Sequence, residues 1–100
     1  MYYPIKLDKS RNLRYGMKAI SLIEKKLKKS VSKIDMENIT MEDAAVMIWA
    51  GLQHEDRELT PEKVMDLVDD YSDITTVMQA MAEAFRGAFG KVEVQEEKND

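Results

Sequence analysis

Apolar residues along this chain alternate once, briefly, and then recur at three- and four-residue spacing in four longer blocks. The alternation comes first. From Tyr2 to Leu7, Tyr3, Ile5 and Leu7 share one side and Tyr2, Pro4 and Lys6 the other, which is the period of a strand; Pro4 places it at an edge. Asp8-Lys9-Ser10-Arg11-Asn12 is polar and turn-like, and Leu13 to Tyr15 reads as a short returning strand. The chain therefore opens with a hairpin, and a two-stranded hairpin needs another layer to lean on.

The first helical block follows Gly16. Met17, Ile20, Ile23 and Leu27 form its stripe, widened by Ala19 and Leu22, with Lys18, Lys25, Lys28 and Lys29 opposite. Ser30 to Asn38 is a looser connection in which Val31, Ile34 and Met36 are available to pack. Thr40 has the character of the next cap, with Asp43 three residues on in the place a capping box gives to Glu. Met41, Ala44, Ala45, Ile48, Trp49 and Leu52 make the second apolar face, and Gly51 permits close packing or a loosened last turn. Past a charged loop, Thr60 is placed to accept from a free amide. Pro61 suits the first helical position because its missing N–H is not needed there, and Glu62 complements the helix dipole. The third face is Val64, Leu67, Val68 and Tyr71. Ser72 or Asp73 caps a fourth helix lined by Ile74, Val77, Met78, Met81, Phe85 and Phe89. Ala80, Ala84 and Ala88 make its second side apolar too, and Gly87 and Gly90 are positioned to end it. Lys91 to Asp100 is polar, with little to bury, and is expected to be a flexible tail.

The pattern thus predicts a mainly α fold: a compact four-helix domain over residues 1–90, a short N-terminal β-hairpin, and an acidic tail at 91–100. Length agrees with this. One hundred residues make one domain that buries roughly 60–70% of its unfolded surface. Two prolines and four glycines are few, as helices require. The chain has no cysteine, which removes disulfides and thiolate sites and leans towards a reducing compartment. No apolar run approaches the ~20 residues of a membrane span. The opening M-Y-Y-P-I-K-L-D-K-S lacks the regions of a signal peptide, so a cytoplasmic location is expected.

Charge changes the picture more. The net −4 divides into +8 over residues 1–33, with ten basic and two acidic side chains, and −12 over residues 34–100, with five and seventeen. Solvated faces of amphipathic helices account for such a division without a partner. The alternatives are head-to-tail pairing of copies and the presentation of one sign to a partner.

Candidate chemistry is sparse. His54, the one histidine, lies among acids in Q-H-E-D-R near a helix C-terminus, where a solvated imidazole is favourable. There is no H-E-x-x-H spacing, Walker loop or glycine-rich phosphate cradle. Asp66, Asp69, Asp70 and Asp73 lack the spacing and central glycine of a calcium loop. Lys25, Lys26, Lys28, Lys29 and Lys33 offer phosphate contacts, but a net acidic chain without interleaved aromatics argues against nucleic acid. No enzyme activity, cofactor, metal or small-molecule substrate is expected. The eight methionines point elsewhere, because Met is flexible, polarisable and frequent on surfaces that accommodate varied partners; filling an irregular core is the alternative. A fourth helix apolar on two sides needs a second thing to pack against, either another copy or a partner helix. Ile74, Val77, Met78, Met81, Ala84, Phe85 and Phe89 are the candidate partner-binding residues.

Several residues also carry a family likeness: Ala19, Leu22, Ile23, Glu24 and Leu27; then Trp49, Ala50, Gly51, Leu52, His54 and Glu55; then Leu59, Thr60, Pro61, Glu62, Val64 and Leu67. In order and spacing the chain resembles the phage tail assembly chaperones, found also in prophages and gene transfer agents, over about residues 5–90. Trp49, Gly51, Leu52, Thr60 and Pro61 are the marker positions. The resemblance implies a non-catalytic protein of the bacterial host's cytoplasm that binds the long helical tape measure protein and keeps it from aggregating before the tail tube polymerises. It implies no nucleic acid, membrane or small-molecule partner, and it admits a homo-oligomer. Many such relatives also make a longer form by ribosomal slippage. GAA-AAA-AAC is one encoding of Glu97-Lys98-Asn99 that permits a one-base slip, and GAG or AAG codons there exclude it. The competing readings are a structural tail or head–tail component, which persists in purified particles, and a small DNA-binding regulator acting through Lys18 to Lys33.

Overall fold

The computed structural model describes residues 2–88. Phe89, Gly90, the segment 91–100 and the slippage codons of Glu97 to Asn99 lie outside the described residues. The elements are β1 (Tyr3–Lys6), β2 (Ser10–Leu13), α1 (Met17–Leu27), a 3₁₀ turn (Val31–Lys33), α2 (Met41–Leu52), α3 (Pro61–Tyr71) and α4 (Ile74–Ala88). Four helices and an N-terminal hairpin are as expected.

The helix starts follow their caps. Thr40 Oγ1 accepts from the Asp43 amide at 3.0 Å, and Thr60 Oγ1 from the Lys63 amide at 3.1 Å, with Pro61 opening α3. At α4 the choice between Ser72 and Asp73 resolves to Asp73, whose Oδ1 accepts from the Thr76 amide at 2.7 Å and whose Oδ2 accepts from the Thr76 hydroxyl at 2.9 Å. Ser72 instead closes α3, its amide donating to the Val68 carbonyl.

Helix α2 is the hub. It packs against α1, α3, α4 and β2, while α4 also meets β1 and α3. Its periodicity is correspondingly weak, since Ala44, Ala45, Met47, Ile48, Ala50, Gly51 and Leu52 are all buried. Met47, which does not belong to the stripe read from the sequence, is fully buried because a central helix has no free side. Gly51 is needed for close approach. A Cβ there would stand 2.9 Å from Tyr15 Cζ and 3.0 Å from Leu13 Cδ2. Tyr15 threads this corner: its hydroxyl donates to the Met47 carbonyl at 2.7 Å and its ring meets Phe85 edge-on at 5.1 Å. Burial pushes its phenol pKa far up, so the hydroxyl remains a donor.

The hairpin departs from expectation in register. β2 is Ser10–Leu13, so Arg11 and Asn12 belong to a strand instead of a turn, and Leu13 ends that strand. Tyr3 pairs with Leu13, Pro4 with Asn12, Ile5 with Arg11 and Lys6 with Ser10. Arg11 is buried because its guanidinium is neutralised on two sides, by Asp8 at 2.9 and 3.0 Å and by Asp56 at 3.4 Å. Asn12 explains what the Q-H-E-D loop does. Its amide donates to Glu55 Oε1 at 3.2 Å, its side-chain nitrogen to Glu55 Oε2 at 3.0 Å, and its carbonyl accepts from His54 Nε2 at 2.7 Å. The loop thus pairs the backbone amide and carbonyl of Asn12 on the side of β2 away from β1. His54 therefore has a structural partner, and Tyr2 lies against its ring at 5.4 Å.

Three further expectations need correction. Met17 is 91% exposed, because it lies well off the helical line through the buried Ala19 and Ile23. Tyr71, the last residue of α3, is exposed while Val64 and Val68 are buried. Gly87 lies within α4 and does not end it.

Four carboxylates, Asp8, Asp35, Glu55 and Asp73, are held below their ordinary range and make the fold sensitive to acid. The Arg11 guanidinium holds the Asp8 carboxyl below the usual range, and the Thr76 amide and hydroxyl do the same for Asp73. A pKa lower in the folded than in the unfolded chain means stabilisation that is complete at neutral pH and lost as pH falls through the folded value, below about pH 4. The thermal midpoint is expected to fall on acidification below that point, and Asp8→Asn with Asp73→Asn to flatten the fall. A midpoint insensitive to pH in that window would contradict this account.

Candidate partner-binding cleft

Three helix segments enclose an apolar cleft of about 230 Å³. Met41, Ala44, Ala45 and Ile48 come from α2, Val64, Met65, Val68 and Asp69 from α3, and Ile74, Val77 and Met78 from α4. The sequence builds it by side-chain size. Ala44 and Ala45 are buried but short, so α3 and α4 pack against α2 without filling the space above them. Ile48, Val64 and Val77 complete a buried floor, whereas Met41 and Ile74 are 49% and 54% exposed. Met41 and Ile74 each open a helix, so the cleft lies where α2 and α4 begin. Among the described residues lining it, Asp69 is the one charged side chain.

The candidate residues on α4 divide. Ile74, Val77 and Met78 line the cleft. Met81 is fully buried in the core, Phe85 packs on Tyr15, and Ala84 borders Tyr2, Tyr3, Leu13 and Tyr15 at the hairpin. Tyr3 donates its hydroxyl to Glu83 on the same helix. The second apolar side of α4 is thus met in part by the hairpin of its own domain, so the need for an outside partner does not follow from that helix alone. Phe89 lies outside the described residues.

The marker positions are structural. Leu52 is fully buried and Gly51 meets Tyr15. Trp49 Nε1 donates to the Leu59 carbonyl at 2.8 Å, with the Lys26 ammonium 5.7 Å from its ring, and Thr60 and Pro61 start α3. Together they fix the loop that sets α3 against α2, and so the width of the cleft.

A second, shallower groove of about 430 Å³ runs over Tyr15, Gly16, Met17, Ile20, Ser21, Glu24 and Ala88. Among the described residues, no group of three or more His, Asp or Glu side chains is placed to hold a metal ion, and no helix is long and apolar enough to cross a membrane. Most of the lining residues belong to stripes visible in the sequence one helix at a time. The missing signal was relational: two small residues on one helix opposite flexible Met side chains on two others. Comparison with family models, with curated proteins and with solved structures gives no match to this chain.

Proposed function

We propose that this chain is a non-catalytic binding protein of the tail assembly chaperone type, which holds an apolar helical segment of a long tape measure protein before assembly. The observation that carries the reading is the cleft: a short-chain floor of Ala44 and Ala45 with a rim of Met41, Met65, Met78 and Ile74. Methionine rims adapt to successive partner side chains, which suits a protein that must cover many similar helical turns instead of one fixed epitope. Helix-in-groove recognition needs an open apolar channel of this kind.

Co-expression with long helical proteins, beginning with any encoded beside its gene, tests the reading. The long protein is expected to be insoluble alone and to co-purify with this chain when both are made. If it stays insoluble, and no complex forms with any candidate helical protein, the chaperone reading fails.

A further inference from the structure

The cleft is bordered by charge of one sign. On α3, Glu62, Asp66 and Asp69 follow at i, i+4 and i+7, which places them in one row along the helix. That row lies directly beside the row of Met65 and Val68 that lines the cleft, and Asp69 belongs to both. Asp73 continues it past the end of α3, next to Ile74, and Glu42 is exposed beside Met41. Among the described residues, all of these side chains except the cap Asp73 lack a hydrogen-bond or ion-pair partner, and all are solvent-exposed. The lysines of α1 do not line the cleft. No strand edge lines it either, so an extended peptide would gain no backbone ladder there.

We infer that the α2–α3–α4 cleft takes an amphipathic helix whose apolar stripe is flanked by lysine or arginine, the basic flank lying along Glu62, Asp66 and Asp69. This deepens the proposed function and rests on it. The apolar stripe supplies affinity, and the acidic row selects among helices of similar apolarity and sets which way round they lie. A second copy of this chain is a poorer occupant. Its basic helix, α1, already spends Ala19 and Ile23 on its own core and leaves only Met17 largely exposed.

The test uses the full chain and three labelled synthetic helices that share one apolar stripe and differ in their flanks: all Lys, all Gln, all Glu. Fluorescence anisotropy at low and high salt is the readout. The Lys-flanked helix is expected to bind about tenfold more tightly than the Glu-flanked one at low salt, and high salt to collapse the difference. Asp66→Asn with Asp69→Asn should reduce the preference, and Ile74→Gln should weaken all three helices alike. Both aspartates are exposed and Asp73 is untouched, so the cap of α4 survives. Equal binding of the three helices overturns the inference and leaves the chaperone reading standing. Preference for the Lys-flanked helix that survives Ile74→Gln unchanged overturns it by moving the site elsewhere. Self-association of the chain that Ile74→Gln abolishes also overturns it, by naming a second copy as the occupant. Failure of the co-expression experiment is a separate result, and it removes the chaperone reading itself.

Discussion

Tyr15→Ala is expected to lower the unfolding free energy by about 3–5 kcal/mol, the range for removing a large aromatic side chain from a packed core. The residue ties the end of the hairpin to two helices, α2 and α4. Its ring lies against Gly51 of α2, its hydroxyl reaches the Met47 carbonyl, and its edge meets Phe85 of α4. A domain of this size is stable by roughly 5–15 kcal/mol, so the loss takes a large share of the whole. Tyr15→Phe separates the contributions. It keeps the ring and removes only the hydrogen bond, at about 1 kcal/mol. Urea unfolding followed by the fluorescence of Trp49, the single tryptophan, measures both. Equal losses for the two variants would show that packing at this corner contributes little.

The second large effect concerns binding. Met41→Gln with Ile74→Gln is expected to weaken a helical partner by roughly thirtyfold or more while leaving the unfolding midpoint nearly unchanged. About half of each side chain is already exposed, so the free protein loses little core. Glutamine is also a good helix former for the opening turns of α2 and α4. A bound helix would cover the exposed halves, and restoring them to water costs about 1 kcal/mol or more per residue at 25 cal/mol per Å². Two such losses give the expected ratio. Unchanged affinity with an unchanged midpoint would place the binding surface elsewhere on the molecule.

Much of the architecture was legible because it rests on local chemistry. Thr40, Thr60 and Pro61 announce helix starts by the bonds they make or do not need, and the stripe through Val64 and Val68 needs only a period. What could not be read depends on residues distant in sequence. Arg11 looks like a turn residue until Asp8 and Asp56 converge on it; neutralised, it sits in a strand. His54 and Glu55 look like solvent-facing loop residues until the edge of β2 arrives beside them. Met17 satisfies spacing but not direction. The cleft was the least visible, since an absence of bulk at Ala44 and Ala45 matters only once α3 and α4 stand over it. The doubly apolar α4 suggested a missing partner, and part of that partner is the hairpin, some eighty residues earlier in the chain.

That last pairing has a consequence for how the protein is made. β1 and β2 are synthesised before the surfaces that hold them, α2 and α4. A lone two-stranded hairpin is not stable in water. At ordinary synthesis rates it waits roughly 4–16 s for the residue that Tyr3 bonds, Glu83, to follow it. Closure of the domain is therefore a late event, and a nascent chain stalled before α4 is an open one.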